Sequence, residues 1–468
     1  MSREGAAARS LWLQEALDPA EEQPPLDGNL RADVCIVGGG LTGLWTALAL
    51  KEREPALDVV LLEADVCGAG ASGRNGGFVL SLWAKFQALE RVCGAAEALR
   101  LARASAAAVS EIGAFCREHD IDAHVRGDGW LWAATNRSQL GAWDDTVATI
   151  ERHGERPFIR LEPEEVARRA GSPSHLGGVF EPTAATVHPA RLVRGLRRVA
   201  LDRGVQIFER SPMSALRRTR PPRVRTPRGV VSADRVVLAM NAWATRLREA
   251  RGAIVVVASD VIATAPIPDR LREIGWTSGM CIDDSRLLVN YYRTTLDGRL
   301  VFGQGGGKLG YGGRVGTRFD GPSPRADEVR GGLRFIFPAL GGAPITHTWM
   351  GPIDRTLVGL PFFWRLGGRE DLLCGAGYSG NGVGPSRLGG RILASLALGL
   401  DDEWASCGLA RKPTGGWLPP EPLRYIGGQL VRAAVARKER AEDAGRRPSR
   451  RTLAMARLAP AGLVPINE

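Results

Sequence analysis

The sequence of 468 residues predicts an α/β protein with two domains whose segments alternate along the chain. Three observations support this fold class. A strand, a glycine turn, a helix and a second strand are predicted between 33 and 64, a β-rich region covers 253–310, and a strand running into glycines and a helix covers 372–399. Because the order is α/β, then β-rich, then α/β, we expect the last segment to return to the first domain.

The first βαβ unit contains the most informative turn. DVCIV at 33–37 has the continuous apolar character of a buried parallel strand, GGGLTG follows at 38–43, and an Ala- and Leu-rich helix ends at Pro55. Gly38 permits the tight turn, Gly40 allows the backbone to approach a pyrophosphate, and Gly43 allows the helix to pack closely on the strand. The N-terminus of the helix then offers N–H groups and a positive dipole end to phosphates.

A carboxylate closes the second strand of this unit. Glu63 follows Gly43 by 20 residues, where a carboxylate accepts hydrogen bonds from a ribose 2′-OH and repels a 2′-phosphate. The unit therefore predicts an adenine dinucleotide, FAD or NAD, and disfavours NADP. The next segment, GAGASGRNGG at 68–77, favours FAD. A NAD-binding domain usually continues with another βα unit, whereas a loop of small residues can lie along the ribityl chain and ring of a flavin.

Charge, cysteine and histidine spacing and hydropathy argue against several kinds of binding partner. The formal net charge is +11, but the basic residues are spread along the chain without interleaved aromatics, so we expect no nucleic-acid partner. The seven Cys form no CxxC pair and the six His have no zinc-binding spacing, so we expect no metal. No stretch has the length and apolar character of a membrane span, and the N-terminus has no export signal. We therefore expect no membrane partner and a cytoplasmic location.

Several segments together resemble a known family. CIVGGGLTG, LLEAD, GASGRNGG, AMNAWA and GAGYSGNGVGPSRLGGRILASLALG are similar to segments of the FAD-dependent D-amino-acid oxidase superfamily, also called the glycine oxidase/sarcosine oxidase superfamily. The resemblance covers about 8–440 and is strongest to the gamma-glutamylputrescine oxidase-like branch. It implies a discontinuous Rossmann-like FAD-binding domain (30–90, 165–250 and 345–400), a mixed β-sheet substrate domain (91–164 and 251–344) and a C-terminal helical extension with a basic tail (401–468).

The resemblance also implies how FAD is bound. The cofactor lies extended, and it is expected to be noncovalent because HTWMGPIDRTLVG lacks the Cys on which sarcosine oxidases carry FAD. The implied contacts are Gly38, Gly40, Leu41, Thr42 and Gly43 at the pyrophosphate, Glu63 at the adenosine ribose, Met213 at adenine, Ser72, Arg74, Asn75, Gly76 and Gly77 at the flavin half, and Gly380, Asn381, Gly382, Val383 and Gly384 at the isoalloxazine and ribityl chain.

The implied reaction is oxidation of a C–N bond of an amine or amino acid to an imine, with O₂ as acceptor and H₂O₂ as product. The alternative is a flavin-dependent amine dehydrogenase with another acceptor. Lys308, in GGGKLGY, matches the lysine that assists O₂ in monomeric sarcosine oxidases; the other interpretation is a solvated surface lysine. Tyr292 and Arg293 are candidate catalytic or substrate-contacting residues, or sheet residues that point away.

Other positions limit the substrate and leave two further hypotheses. Asn381 and Gly384 stand where the sarcosine oxidase branch has His and Lys, which disfavours a plain α-amino acid. Trp130 and Trp132 are interpreted as core residues rather than as a pocket wall. An NAD-dependent dehydrogenase and a basic RNA-associated flavoprotein are the remaining hypotheses; a yellow protein excludes the first, and the second requires salt-dependent RNA affinity.

Overall fold

The computed structural model of the protein describes residues 9–316, 319–413 and 418–460. Its strands are β1 (Gly28–Val37), β2 (Val59–Leu62), β3 (Phe78–Val79), β4 (Trp130–Ala134), β5 (Ile159–Leu161), β6 (Gly177–Glu181), β7 (Ala185–Thr186), β8 (Gln206–Phe208), β9 (Ala215–Arg217), β10 (Arg223–Arg225), β11 (Gly229–Leu238), β12 (Ile254–Thr264), β13 (Cys281–Asp284), β14 (Asn290–Thr294), β15 (Leu300–Gln304), β16 (Ile345–Thr356), β17 (Phe362–Arg365) and β18 (Leu372–Ala376).

Helices connect and cover these strands. They are α1 (Leu11–Ala16), α2 (Leu41–Arg53), α3 (Phe86–Cys93), α4 (Ala95–Glu118), α5 (Asp144–Arg152), α6 (Pro163–Ala170), α7 (Pro189–Asp202), α8 (Arg248–Arg251), α9 (Pro268–Glu273), α10 (Ala326–Ile336), α11 (Pro385–Leu398), α12 (Leu423–Asp443) and α13 (Arg450–Ala456).

The first sheet contains the glycine turn. Its strand order is β17-β18-β11-β1-β2-β8, with β10 and β9 attached beside β11. The strands from β18 to β8 are parallel, and β17 pairs antiparallel with β18. The side chains of β2 are buried throughout, as expected of a parallel strand covered on both faces, and α2 packs against α7 and α11. The predicted discontinuous Rossmann-like domain is confirmed, since β18 and α11 return to it late in the chain.

The second sheet is mixed, as predicted. Its order is β16-β12-β15-β14-β13-β4-β6-β5, in which β13 and β4 are parallel and the other neighbours are antiparallel. The predicted boundaries place β6 and β16 in the FAD-binding domain, whereas the structure pairs both in the second sheet, with β4 and β12. The apolar alternation that marks a strand does not reveal which sheet supplies its partner.

The C-terminal region ends in two packed helices. α12 and α13 contact each other, and they pack on Leu287 and Leu288 of the second domain through Ala434, Val435 and Ala456. Residues 414–417 and 461–468 of the predicted extension and tail lie outside the described residues. Within 9–316, 319–413 and 418–460, the helices are too short or too polar to cross a membrane. The same ranges contain no group of three His, Cys, Asp or Glu side chains arranged to hold a metal ion.

Candidate active site

A cavity of about 660 Å³ lies between the glycine turn and the second sheet. The first domain contributes the turn after β1, the end of β2, the 69–76 loop and the 378–383 turn. The second domain contributes residues of β12, β13, β14 and β16 and of the loops that flank β14 and β15. The cavity therefore has one end built around the glycine turn and another end built on the second sheet.

The glycines of the turn are required by close contacts. A Cβ on Gly38, whose φ is +116°, would lie 2.3 Å from the Ala239 carbonyl oxygen, and a Cβ on Gly43 would lie 2.0 Å from that of Gly38. A Cβ on Gly40 would lie 2.7 Å from Ser72 Oγ, which accepts a hydrogen bond from the Leu41 N–H at the start of α2. Gly38 and Gly43 therefore allow backbone to approach backbone, and Gly40 leaves space beside the N-terminus of α2.

Glu63 is held at the same end of the cavity. Its carboxylate accepts hydrogen bonds from the Gly39 N–H at 2.7 Å and the Asp65 N–H at 3.0 Å. Burial raises the pKa of Glu63, while these two N–H groups oppose that effect. The carboxylate thus links the glycine turn to the end of β2 and lines the cavity beside Ala64 and Asp65.

The 72–77 loop and the 378–384 turn both contribute residues to the cavity lining. Asn75 fixes the first through hydrogen bonds to the Ala71 and Ser72 carbonyls and from the Gly77 N–H. Tyr378 joins the second to α2, because its hydroxyl accepts a hydrogen bond of 2.8 Å from Thr42 Oγ1. The polar linkage explains how segments 300 residues apart in sequence build one wall.

Most predicted FAD contacts line the cavity, and three serve packing. The lining residues among them are Gly38, Gly40, Leu41, Thr42, Glu63, Ser72, Arg74, Asn75, Gly76, Met213, Gly380, Asn381, Gly382 and Val383. Gly43, Gly77 and Gly384 lie behind this surface. A Cβ on Gly77 would lie 2.2 Å from the Val187 carbonyl oxygen, and one on Gly384 would lie 2.3 Å from that of Leu80.

The polar groups that line the cavity fit FAD. Asn381 Oδ1 is buried at the cavity and has no hydrogen-bond partner among the described residues, while its Nδ2 donates to the Ser81 carbonyl at 2.8 Å. A buried amide oxygen without a partner is costly and is expected to meet a donor of a bound molecule. Together with the glycine turn and the Glu63 carboxylate, it makes an extended site for an adenine dinucleotide.

A cluster of charged side chains at the other end was not predicted from the sequence. Lys85, Asp283 and Arg355 all line the cavity, and Lys85 and Asp283 are buried. Burial lowers the pKa of Lys85 to about 7; the Arg355 charge lowers it too, and Asp283 opposes this. Burial also raises the pKa of Asp283 well above its usual range, with a further rise from Asp284. Such a group of perturbed side chains in a cavity is typical of an active site.

One residue of this cluster has a recognisable signal in the sequence. Lys85 stands in the apolar run LWAKF, in a chain that is otherwise rich in arginine. A lysine in an apolar run is either at a surface or a functional candidate, because burial of an ammonium is costly. Asp283 and Arg355 have no comparable signal, since each sits in a strand far from the glycine motifs.

The structure corrects the candidate Tyr292. Its side chain is fully buried in the core of the second domain, where it stacks on Phe302 and its hydroxyl bonds His175 Nε2 at 2.6 Å. The preceding residue, Tyr291, lines the cavity instead, with its hydroxyl 2.8 Å from Ser259 Oγ. The reason is the two-residue period of a strand, which turns neighbouring side chains to opposite faces.

Arg293 and Lys308 also lie outside the cavity lining. Arg293 is buried, and its guanidinium donates to the carbonyls of Val187 at 2.6 Å and Gly77 at 3.3 Å, so it fixes the loop behind the site. Burial lowers the pKa of Arg293 to about 10. The Lys308 side chain is exposed, and the backbone of this residue pairs with β12 through the Ala258 N–H. Its position fits the solvated-lysine interpretation, because an exposed cation is screened from the cavity by water.

Trp130 and Trp132 belong to the core, the interpretation favoured by sequence. Both are fully buried and stack on each other with ring centroids 5.8 Å apart. They lie in the main core cluster and outside the lining of the cavity. In a strand, residues two apart share a face, so both rings project into one layer.

Comparison with known proteins agrees with this site. Residues 33–396 match the DAO family model, described as FAD dependent oxidoreductase. The chain is 32% identical over 381 residues to gamma-glutamylputrescine oxidoreductase of Escherichia coli (strain K12), covering 80% of this chain and 85% of that protein. It is 26% identical over 414 residues to glycine oxidase of Geobacillus kaustophilus (strain HTA426), covering 85% of this chain and 98% of the relative.

Solved structures show the same fold. The crystal structure of glycine oxidase from Geobacillus kaustophilus superposes with a TM-score of 0.66 at 22% identity, covering 83% of this chain and all of that one (100%). L-proline dehydrogenase from P. horikoshii gives a TM-score of 0.65 at 20% identity, covering 81% and 97%. The match over residues 33–396, which contain the glycine turn, Glu63 and the 378–383 turn, decides the assignment. The chain belongs to the DAO family of FAD-dependent oxidoreductases.

Proposed function

We propose that the protein oxidises a C–N bond of an amine or amino acid to an imine, with O₂ as the electron acceptor. The substrate loses a hydride from the carbon beside nitrogen and a proton from nitrogen. O₂ takes up two electrons and two protons to give H₂O₂, and water then hydrolyses the imine to a carbonyl compound and either ammonia or an amine. Bound FAD supplies the hydride acceptor and carries the two electrons to O₂. The amine and amino-acid oxidoreductases among the relatives support this substrate class.

The charged cluster at the second end of the cavity carries this proposal. Lys85, Asp283 and Arg355 share a cavity with the dinucleotide site, and burial excludes bulk water from Lys85 and Asp283. A polar substrate can therefore reach a position beside the cofactor and meet charged groups whose fields are not screened. Cations and a carboxyl group in one place suit a substrate with both an amine and a polar or acidic part.

Lys85 is the group best suited to take up the substrate proton. Hydride leaves only from an amine whose nitrogen carries a free electron pair, and free amines are protonated at neutral pH. With its pKa lowered to about 7, Lys85 is partly neutral at that pH and can accept a proton. Asp283 lies close enough to Lys85 to influence its protonation, because its carboxylate opposes the lowering of the Lys85 pKa.

We propose that FAD is bound without a covalent link. The described residues that line the cavity include neither Cys nor His, the two side chains that usually attach a flavin. Acid or heat precipitation should release the yellow colour into the supernatant. Colour retained on the precipitated chain would contradict this proposal.

A second candidate function is an amine dehydrogenase that transfers electrons to another acceptor. The exposed position of Lys308 favours it, because the lysine expected to assist O₂ lies outside the cavity lining. The fold of L-proline dehydrogenase is shared, although fold does not decide the acceptor.

The experiment is a panel of amines and amino acids supplied to the purified yellow protein. Oxygen uptake and H₂O₂ are measured in air, and reduction of an artificial dye acceptor is measured without O₂. Turnover with stoichiometric H₂O₂ supports the oxidase. Turnover with the dye alone supports the dehydrogenase, and a yellow protein that oxidises none of the panel in either assay contradicts both.

A further inference from the structure

The helix α12 lies beyond the residues that match the family, yet it contacts the cavity wall. Two loops of the second domain form that part of the wall, residues 285–289 and 305–307, which we call the wall loops. Their cavity-lining residues are Arg286, Leu287, Val289, Gly305 and Gly306. The wall loops belong to the second domain, whereas the glycine turn expected to bind the FAD pyrophosphate belongs to the first.

The wall loops pack directly on each other. The Gly305 N–H donates to the Val289 carbonyl at 2.9 Å. A Cβ on Gly306, whose φ is +70°, would lie only 2.0 Å from Leu288 Cδ2. A shift of one loop therefore requires a shift of the other, so a group that holds either one fixes both.

Three side chains of α12 hold the wall loops. Arg432 Nε donates to the Gly306 carbonyl at 2.5 Å, and Glu439 Oε1 accepts from the Leu288 N–H at 3.0 Å. The Asp443 carboxylate accepts from both terminal nitrogens of Arg286, each at 2.7 Å. Positions 432, 439 and 443 are seven and four residues apart, which places them on one face of the helix.

Arg286 extends this connection into the sheet. Its Nε donates to Asp284 Oδ2 at 2.8 Å, and Asp284 also accepts from the Asn290 backbone N–H at 2.9 Å and from Asn290 Nδ2 at 2.7 Å. Arg286 is 7% exposed and Asp284 is fully buried. The buried Arg286 guanidinium is thus paired with two carboxylates, those of Asp284 and Asp443. Asp284 directly follows Asp283 of the charged cluster in the chain.

We propose that α12 supports the substrate-binding site from behind and that Asp443 is a positioning residue, which fixes Arg286 and the wall loops in the shape that the amine substrate contacts. The proposal deepens the proposed function and depends on it only for the identity of the substrate. It assigns a role to a segment beyond the part of the chain that matches the family.

The substitution Asp443→Asn tests this directly. Asparagine has nearly the same size but only one acceptor oxygen, so the two-point pairing with Arg286 is lost while Asp284 still compensates its charge. The substrate wall then loosens and weakens binding in the ground and transition states alike. We expect the KM for the best amine of the panel to rise about tenfold, with the rate of flavin reduction at saturating amine within about twofold of the parent value.

Hydrogen–deuterium exchange on the FAD-loaded protein gives a second readout that needs no substrate. In Asp443→Asn, peptides covering 284–290 and 304–308 should exchange about tenfold faster, while those covering the glycine turn and the FAD content stay unchanged. Asp443→Glu should restore slow exchange and low KM, because it keeps both oxygens. The matched control is Glu442→Gln, which removes a pair with Lys438 of 2.8 Å on the same helix, outside the cavity lining.

The outcomes separate this proposal from the proposed function. Unchanged exchange of the wall loops in Asp443→Asn would overturn the positioning role whether or not an amine substrate is found. The positioning role would also be overturned if Asp443→Asn lost FAD, or if its glycine turn exchanged as much faster as the wall loops. It would be overturned as well if Glu442→Gln gave the same result as Asp443→Asn. Each of these outcomes would indicate general destabilisation. Faster exchange confined to the wall loops, with no amine oxidised by the parent protein, would support the wall role and count against the proposed function instead.

Discussion

The two ends of the cavity are lined by different kinds of groups. The end at the glycine turn is lined by backbone and small residues, and added Cβ atoms at Gly38 or Gly40 would collide within 2.3–2.7 Å. The other end is lined by large charged side chains such as Lys85, Asp283 and Arg355. The end at the glycine turn requires glycine at fixed spacing, so it is visible in the sequence as a motif. The charged end requires only that distant segments come together in the fold, so it produces almost no recognisable motif in the sequence.

The largest expected effect is at the backbone-lined end. Gly40→Val introduces a branched side chain beside Ser72 Oγ, at the N-terminus of α2 where the pyrophosphate is expected. We expect the variant to purify without FAD or to be insoluble. The measurement is the ratio of flavin to protein absorbance after purification.

Substitution of a glycine far from the turn shows whether the loss of FAD is specific to Gly40. Gly331 lies in α10, and an added Cβ would have no atom of the described residues within 4 Å apart from its chain neighbours and the backbone of its own helix. Gly331→Ala should keep the full FAD content and gain about 0.5–1 kcal/mol of stability, since alanine is the better helix former. A Gly40→Val protein with full FAD content would contradict the assignment of the turn.

The next effect is at the charged end and depends on pH. Lys85 accepts a proton only when it is neutral, which is above its pKa of about 7. We therefore expect kcat/KM to fall as the pH is lowered from about 8 to about 6. Lys85→Met should lose about 10²-fold in kcat/KM at pH ~8 and lack this inflection, as expected when a general base is removed.

Lys308 provides the control for Lys85. Its side chain is exposed and outside the cavity lining, so Lys308→Met should leave flavin reduction and reoxidation by O₂ within about twofold of the parent rates. Stopped-flow measurement of the two half-reactions decides. A large loss of reoxidation in Lys308→Met would restore the oxygen-assisting role that the resemblance implies and would contradict the solvated-lysine interpretation.

A smaller effect is expected at Glu63. Both of its oxygens accept backbone N–H groups, so Glu63→Gln would turn an amide NH₂ toward a donor. We expect the Kd for FAD to rise about tenfold, with kcat at saturating FAD unchanged. Titration of the apoprotein with FAD, followed by flavin fluorescence, provides the measurement. Unchanged FAD affinity would remove Glu63 from the cofactor site.

The smallest effects test the alternation of β14. Tyr291→Phe removes the hydroxyl that bonds Ser259 at the cavity and should raise KM without lowering stability much. Tyr292→Phe removes the partner of His175 in the core and should cost about 1–2 kcal/mol of stability with kinetics unchanged. Thermal unfolding and steady-state kinetics of both variants give the comparison. The reverse pattern would mean that the face of the strand is assigned wrongly.

The end of the cavity at the glycine turn could be predicted from the sequence, whereas the charged end could not. The βαβ unit and the late return of the 372–399 segment could be predicted, because glycine spacing and apolar runs encode backbone geometry locally. Most of the FAD contacts that the resemblance implies line the cavity. The candidate Tyr292 is wrong because the sequence NYYRT gives no sign of which tyrosine faces the cavity. The wall loops depend on α12, more than a hundred residues later, so their support could not be inferred from local pattern.

The proposed function requires that one cavity bring a backbone-bound FAD beside a charged amine site. The most direct measurement is the visible flavin absorbance of the FAD-loaded protein titrated with amines under nitrogen. We expect at least one amine of the panel to bleach the absorbance stoichiometrically and the admission of air to restore it, with Lys85→Met bleaching far more slowly at pH ~8. Bleaching by NADH but by none of the amines would contradict it.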